Sequence, residues 1–502
     1  MKKIIISENP WQTRIAITVN DRLQNIYFES HVTTNLERCF FKGVVTKVLP
    51  GIQTAFVDIG QEKAGFLHIS EIDREMAFAR MSDQTDEIVN REEPAPRKPS
   101  AADISKILRE GDPILVQVSK EPIYEKGAKL TTCFTLPGRY IVLMPNIPRV
   151  GVSKKIEDRE ERQRLKELVL KYLPEGMGAI IRTTSENAKD NDIVRDIEFL
   201  VNTWQTIQKR FAQAEPREKL HEDLPLVLQV VRDSLDEDVE SVIVNTPSCQ
   251  HKVYKFVKYI APEHIHKIKL YQEPPNLFDI FNINKQLEEA LQTKVELKSG
   301  GSLIIETTEA MTVVDVNTGK FTGKKSLEDT ILKTNMEAAQ EIARQLRLRN
   351  IGGLIVIDFI DMSVPAHRQQ LIRFFEKVLK EEDKFQSVVL KVSEFGLVQM
   401  TRKRSGKTLI QQLMDTCPTC SGKGFIKSAQ TQCEELLDKF KKELQAGSPQ
   451  GKIILRVHPN IFKIITNVEY NAILVLEKEF GCEITLVSDS SFAIDQYKIE
   501  WA

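Results

Sequence analysis

The chain has 502 residues, more than one hydrophobic core can organise, and at ~150 residues per domain it predicts roughly three domains. Hydrophobic residues make up 41% and charged residues 28%, an ordinary globular balance that excludes wholesale disorder. The 70 Lys and Arg against 71 Asp and Glu leave a net charge of −1, so attraction to nucleic acid must come from local patches. No run of ~18 apolar residues is present, which excludes a conventional membrane span. The opening Met1–Glu8 is too short in its apolar part for a secretory signal, and 7 scattered cysteines argue against a disulfide framework. A cytoplasmic location is the expectation.

Thr13–Val19 and Leu23–Phe28 alternate on either side of Asn20-Asp21, which predicts a hairpin. From Phe40 the texture changes to short, glycine-punctuated strands at Gly43–Val45, Ala55–Ile59 and Gly65–Ile69. The two-residue period puts Ala55, Val57 and Ile59 on the inner face and Phe56 on the other. With Phe66 and His68 on the next strand, Phe56 has the makings of a base-stacking platform. The pattern over 42–71 resembles the S1 RNA-binding motif, a five-stranded oligonucleotide-binding barrel. Residues 73–104, polar and proline-rich, predict a long mobile loop inside this β domain, and strands resume at Pro113–Lys120 and Ala128–Thr132. A charged helix follows over Ile156–Tyr172, then a short strand at Ala179–Thr184 and a helix from Ile193 to Phe211. Glu215–Lys219 reads as a domain boundary. From Leu224 to Gly424 strands and helices alternate, and the last seventy-odd residues form a smaller α/β unit.

The stretch Met311–Lys320 is the most informative. Alternation places Val313, Asp315 and Asn317 on one face, Ser326 to Asp329 then opens a helix with an N-cap pattern, and Leu354–Asp361 follows as an apolar strand ending in Asp358. Strand, helix and strand make a βαβ unit with parallel strands, so Asp315 and Asp358 come together at their carboxyl ends. Two such carboxylates repel, and either one takes a proton or a hard cation bridges them. Mg²⁺ fits, because it binds one or two carboxylates and keeps waters for a phosphate substrate, with Asn317 orienting a carboxylate or a water. Gly319–Ser326 resembles a phosphate-binding P-loop but is one residue short between its glycines, and Lys325 separates Lys324 from Ser326, so nucleoside triphosphate binding is rejected.

Cys417-Pro418-Thr419-Cys420, followed by Gly422 and Gly424, has zinc-knuckle spacing. A structural Zn²⁺ wants four ligands, and this pair offers two. Two chains each donating Cys417 and Cys420 would complete the site, whereas Cys433 lies in a helical pattern and is a poor third ligand. A redox reading of the pair lacks a preceding thioredoxin-like strand. Just upstream, Met400–Lys407 is the densest basic cluster and a candidate phosphate contact.

These features in this order, with Arg182-Thr183-Thr184, Val313–Phe321, Val356–Met362, Phe395–Arg404 and Cys417–Gly424, resemble the ribonuclease E/G family over essentially the whole chain. The resemblance implies a multidomain α+β fold with an S1-type barrel inserted in an RNase H-like subdomain. Its parts would be the RNase H-like subdomain (1–36 and 223–291), the S1 domain (37–132), a 5′-sensor (133–222), a DNase I-like catalytic subdomain (292–412), a zinc link (413–427) and a small C-terminal α/β domain (428–502). It implies an endoribonuclease, dependent on Mg²⁺ held by Asp315 and Asp358 beside Asn317, that cuts single-stranded A/U-rich RNA to leave 5′-phosphates. Arg182 and Thr183, with a backbone contact from Val142, match the 5′-monophosphate pocket; Phe56, Phe66 and Lys126 match the S1-side RNA contacts. Glu394 stands where some members carry an RNA-touching arginine. Expected substrates are rRNA and tRNA precursors and mRNA, and the expected assembly is a homodimer through shared Zn²⁺, with a tetramer as an extension. The chain lacks the long disordered scaffold of the larger members and groups with the shorter ones. The alternative class is a non-catalytic S1-type RNA-binding protein.

Overall fold

The computed structural model describes residues 1–31, 35–72, 85–90, 104–122, 127–318, 327–383, 385–403, 406–447 and 451–501, with backbone alone for 85–90 and 327. The chain forms two compact units, Met1–Ile410 and Gln411–Ala502.

The first unit begins with Lys2–Glu8, which runs parallel to Val239–Val244 and antiparallel to Gln12–Val19 at the centre of a five-stranded sheet. Ile4, Ile5 and Ile6 are all fully buried, which a strand permits only when both faces are covered. Ile4 and Ile6 enter one core beside Val242 and Val253, while Ile5 enters another beside Phe278 and Leu348. The predicted hairpin is present: Asn20 and Asp21 have φ of 50° and 61°, the doubly positive turn that matches strand twist.

Five strands close a barrel: Phe40–Leu49, Thr54–Asp58, Gly65–His68, Lys129–Thr131 and Pro113–Lys120, the last pairing back with the first. Ala55, Val57 and Leu67 are fully buried within it, as the alternation predicts. Gly65 is required by crowding, since a Cβ there would sit 2.6 Å from a Leu130 methyl. At 215–219, the expected boundary, the chain passes from the end of a helix at Gln213 to the barrel: Arg217 N–H donates to the Lys42 carbonyl (2.6 Å), and Lys219–His221 adds a sixth strand to the barrel sheet. This return is a long-range pairing, with no local apolar signal to announce it.

Of the loop expected over 73–104, residues 73–84 and 91–103 lie outside the described residues, and the reading is corrected for 85–90. Thr85–Asn90 is a strand pairing antiparallel with Arg149–Ser153, at the edge of a sheet that otherwise comprises Leu136–Pro137, Ile141–Met144 and Gly178–Ile181. Only Ile88 and Val89 are strand-forming apolar residues there, and the flanking acids conceal them. The helices Arg159–Tyr172 and Asp190–Gln213 contribute Leu165, Val169, Ile197 and Trp204 to the core of this sheet. Phe134 joins the core to the barrel, its ring 5.6 Å from Phe40 and 5.2 Å from Trp204.

The last part of the unit is a six-stranded sheet in the order Lys294–Glu296, Ser302–Thr307, Met311–Asn317, Gly353–Asp358, Leu397–Arg402, Ser387–Val389. The predicted βαβ unit is there: Met311–Asn317 and Gly353–Asp358 pair in parallel, joined through the helix Leu327–Leu348. Ala338, Ile342 and Leu346 pack with Val314, Val316, Ile355 and Ile357, and the helix Pro365–Glu382 adds Leu371 and Phe375. Ser326, the expected N-cap, and the P-loop-like segment lie outside the described residues.

Arg402 is fixed inside this layer. Its Nε donates to Asp383 at 2.5 Å and its Nη1 to the Ile351 carbonyl at 2.5 Å, with both partners of the ion pair buried. Removing one member leaves the other charge uncompensated in a low-dielectric interior, so Asp383→Ala is expected to cost about 3–5 kcal/mol, read as a lower urea midpoint for this unit.

The second unit packs the helix Ala429–Gly447 and the helices Pro459–Asn467 and Tyr470–Phe480 with a three-stranded sheet, in which Gly451–Val457 pairs parallel with Cys482–Ser488 and antiparallel with Tyr497–Trp501. Its core includes Cys433, Phe440, Leu455 and Ile461.

Candidate active site

In the six-stranded sheet the residues that alternate away from the helices form the outer face. Asp315 and Asp358 are direct cross-strand partners on that face, and Asp358 is in turn opposite Leu397. Asn317 Nδ2 donates to Asp315 Oδ2 at 2.8 Å, fixing that carboxylate's orientation from two residues along the same strand. Burial, then the negative charges of Asp315 and Asp361, push the Asp358 carboxyl above the ordinary carboxylate range. The sheet thus brings together the three residues that the spacing singled out, in an electrostatic setting that favours a proton or a cation.

Two supporting residues were not read from the sequence. Asn335, fully buried on the helix Leu327–Leu348, donates to the Ile360 carbonyl (2.8 Å) and accepts from the Ile360 N–H (3.1 Å), pinning the turn after Asp358. A polar residue on an apolar helix stripe was the available signal. Asp361 is the second, and it lies against the turn at Gly396, where a Cβ would approach its Oδ1 to 3.2 Å.

Arg182 follows the strand Gly178–Ile181, and its N–H donates to the Tyr140 carbonyl at 2.9 Å. Its Nη1 donates to the Gly138 carbonyl (2.6 Å) and to Asp233 Oδ1 (2.8 Å). Burial acts to raise the Asp233 carboxyl, but the guanidiniums of Arg182 and Arg232 outweigh it and hold the group at about 2. Thr183 is exposed beside Arg182, and Val142 pairs with Ile180 in the adjoining strand. The three residues therefore cluster at one sheet end, with Gly138 and Asp233 as partners that sequence spacing did not reveal. Gly138 is held to glycine because a Cβ would fall 2.3 Å from Asp196 Oδ2.

On the barrel, Phe56 and Phe66 are opposite each other in register and both half-buried, turned away from the fully buried inner row. Lys126 lies outside the described residues. Of the basic cluster at 400–407, Arg402 is buried in its ion pair and is not a phosphate contact, while Arg404 lies outside the described residues.

In the second unit Cys417 and Cys420 bracket a tight turn. Ser421 N–H donates to the Cys417 carbonyl (2.8 Å) and Lys423 N–H to the Cys420 carbonyl (2.9 Å), with left-handed φ at Ser421, Gly422 and Gly424. The Cys417 thiol is exposed, and hydrogen bonds from the Cys420 and Thr419 backbone lower its pKa. Cys433 is buried in the core with its thiol pushed up to about 11 by desolvation. Among the described residues no cluster of three or more His, Cys, Asp or Glu side chains is arranged to hold a metal, and none of residues 406–447 forms a strand leading into the cysteine pair.

A closed five-stranded barrel with an aromatic outer face and an open sheet bearing paired carboxylates thus lie in one chain. Residues 135–405 match the Ribonuclease E/G family, residues 40–126 the S1 RNA binding domain, and residues 416–502 the RNase E/G thioredoxin-like domain. Ribonuclease G of Escherichia coli K12 is 36% identical over 497 residues, 99% of each chain, and Ribonuclease G of Haemophilus influenzae is 36% identical over 498 residues, again 99% of each. Ribonuclease E of H. influenzae is 34% identical over 504 residues, covering 99% of this chain and 52% of that protein. The chain belongs to the ribonuclease E/G family and is an endoribonuclease. Among the described residues no helix is long and apolar enough to cross a membrane.

Proposed function

We propose that the protein cleaves single-stranded, A/U-rich RNA in a Mg²⁺-dependent hydrolysis that leaves 5′-phosphate ends, acting in rRNA and tRNA processing and in mRNA decay in the cytoplasm. The observation that carries this reading is the Asp315–Asp358 cross-strand pair with Asn317 bonded to one of its members. The donors fit the metal: they are hard carboxylate oxygens, and the Asp358 carboxyl is raised by burial and then by the charges of Asp315 and Asp361, an excess of negative charge that a cation would offset. Asp315 and Asp358 would hold Mg²⁺, which supplies charge stabilisation at the phosphate and lowers the pKa of water. Asn317 orients Asp315, and Asn335 keeps the Asp358 strand end in place. Phe56 and Phe66, with Lys126, would grip the single strand, each stacked base contributing ~1–3 kcal/mol. In this reading the sheet holding Lys2–Glu8 is the RNase H-like subdomain, interrupted by the S1 barrel and the 5′-sensor, and the six-stranded sheet is the DNase I-like catalytic subdomain. The test is incubation of such an RNA with and without Mg²⁺, with end-labelling of the products; cleavage that persists in chelator would remove the reading.

Arg182 and Thr183, with Val142 alongside, would take a 5′-monophosphate. Asp233 occupies the guanidinium in the structure, so a phosphate must compete with it, and a dianion matched to the planar fork is suited to do so. Arg182→Ala is therefore expected to erase the rate advantage of 5′-monophosphorylated over 5′-hydroxyl RNA while sparing most of the rate on 5′-hydroxyl RNA. Comparison of kcat/KM for the two RNAs decides it.

A further inference from the structure

Phe395 is 87% exposed, the most exposed large apolar side chain among the described residues. It is not on a loose segment. The Ser393 N–H donates to the Leu397 carbonyl (2.9 Å), the Gly396 N–H to the Ser393 carbonyl (3.1 Å), and the Leu397 N–H to Ser393 Oγ (3.2 Å). Gly396, at φ 83°, closes the turn against the Asp361 carboxylate, and the next residue, Leu397, is the cross-strand partner of Asp358. A hydrogen-bonded turn therefore holds an uncovered aromatic ring two residues before the strand position opposite Asp358. Elsewhere on the exposed face of the sheet apolar side chains, Val313 and Leu354 among them, lie alongside charged ones such as Glu306.

Water is a poor partner for a fully presented phenyl ring, and a turn this well pinned has no need of a phenylalanine at its tip for its own stability. The chain acts on RNA, and single-stranded RNA offers bases whose faces stack on such rings irrespective of their identity. We propose that Phe395 stacks on a nucleobase adjoining the scissile phosphate and so positions that phosphate over Asp315 and Asp358. The inference rests on the assignment of those carboxylates as the cleavage site. It adds a third aromatic platform to Phe56 and Phe66, placed at the cut itself and not along the approaching strand. Phe395 is a positioning residue: its contribution is to keep the bond in register, and a non-aromatic side chain of similar size would not replace it.

Two measurements test it. The full chain carrying Asp315→Asn is bound to short single-stranded RNAs with 5-iodouridine on either side of the cleaved bond, irradiated and digested, and the crosslinked peptides are sequenced. In the otherwise unaltered chain, kcat/KM is compared for Phe395→Ala, Phe395→Leu and Phe395→Tyr. The expected results are a crosslink at Phe395 from one flanking position, a roughly 5- to 100-fold fall in kcat/KM for the alanine and leucine variants, and recovery in the tyrosine variant. Crosslinks confined to Phe56 and Phe66, or equal rates for Phe395→Leu and the unaltered chain, would overturn the proposal. So would a Phe395→Ala chain that sediments as a smaller species, because the ring would then belong to a contact between copies. Turnover by Asp315→Asn would instead count against the carboxylate assignment, and the kcat/KM comparison would still decide Phe395.

Discussion

Asp358→Asn is expected to lower the rate of RNA cleavage by about a thousandfold or more, equivalent to ~4 kcal/mol of lost transition-state stabilisation, while RNA affinity stays nearly unchanged. Asp315→Asn should do the same. On the proposed reading, affinity would be set by stacking and phosphate contacts elsewhere, chiefly on the barrel, whereas the carboxylate pair would act on the reacting phosphate alone. A second readout separates a functional from a structural role. The Asp358 carboxyl is pushed upward by burial and then by Asp315 and Asp361, so carrying its charge costs the folded chain stability once the pH is above the carboxylate range. Replacing it with a neutral amide should leave thermal stability equal or higher. An inactive variant that is also strongly destabilised would point to a packing role, and an active one would remove the metal assignment.

The second large effect concerns assembly. The unaltered protein is expected to carry about half a zinc ion per chain, and Cys417→Ser with Cys420→Ser should lose the zinc and the dimer together, with activity falling alongside. The reasoning is ligand arithmetic. The turn at 417–424 presents two thiols, Cys433 is sealed in the core, and no third donor clusters with the pair among the described residues. Since neither cysteine is buried, the serine changes spare the core of the small unit, so loss of the dimer could not be ascribed to unfolding. Metal content per chain and sedimentation velocity check both halves; one zinc in a monomer would require a different ligand set.

How legible all this was from the sequence depended on whether each signal was local. Asp315, Asn317 and Asp358 were readable because period-two alternation and a βαβ connection fix both their face and their strand ends. Phe56 and Phe66 followed from the same alternation. What stayed hidden was set by partners distant in the chain. Thr85–Asn90 becomes a strand only because Arg149–Ser153 offers it an edge, and Arg402 reads as one more surface cation until Asp383 and the Ile351 carbonyl enclose it. Arg182 stood out only through the family resemblance, and its bond to Asp233, fifty-one positions away, had no signal in the sequence.

The placement of Lys2–Glu8 has a consequence for how the protein is made. Its parallel neighbour, Val239–Val244, is about 230 residues further on, and at ~5–20 residues per second the ribosome delivers it roughly 10–50 seconds later. During that interval the three consecutive isoleucines can pair on one side only, through the hairpin that follows them, and their other edge stays open. The barrel and the sheet built on Ile141–Met144 complete their own pairings from residues synthesised in between. The earliest strand is thus among the last to be finished, and translation speed across the intervening segment governs how long a sticky β-edge remains exposed in the nascent chain.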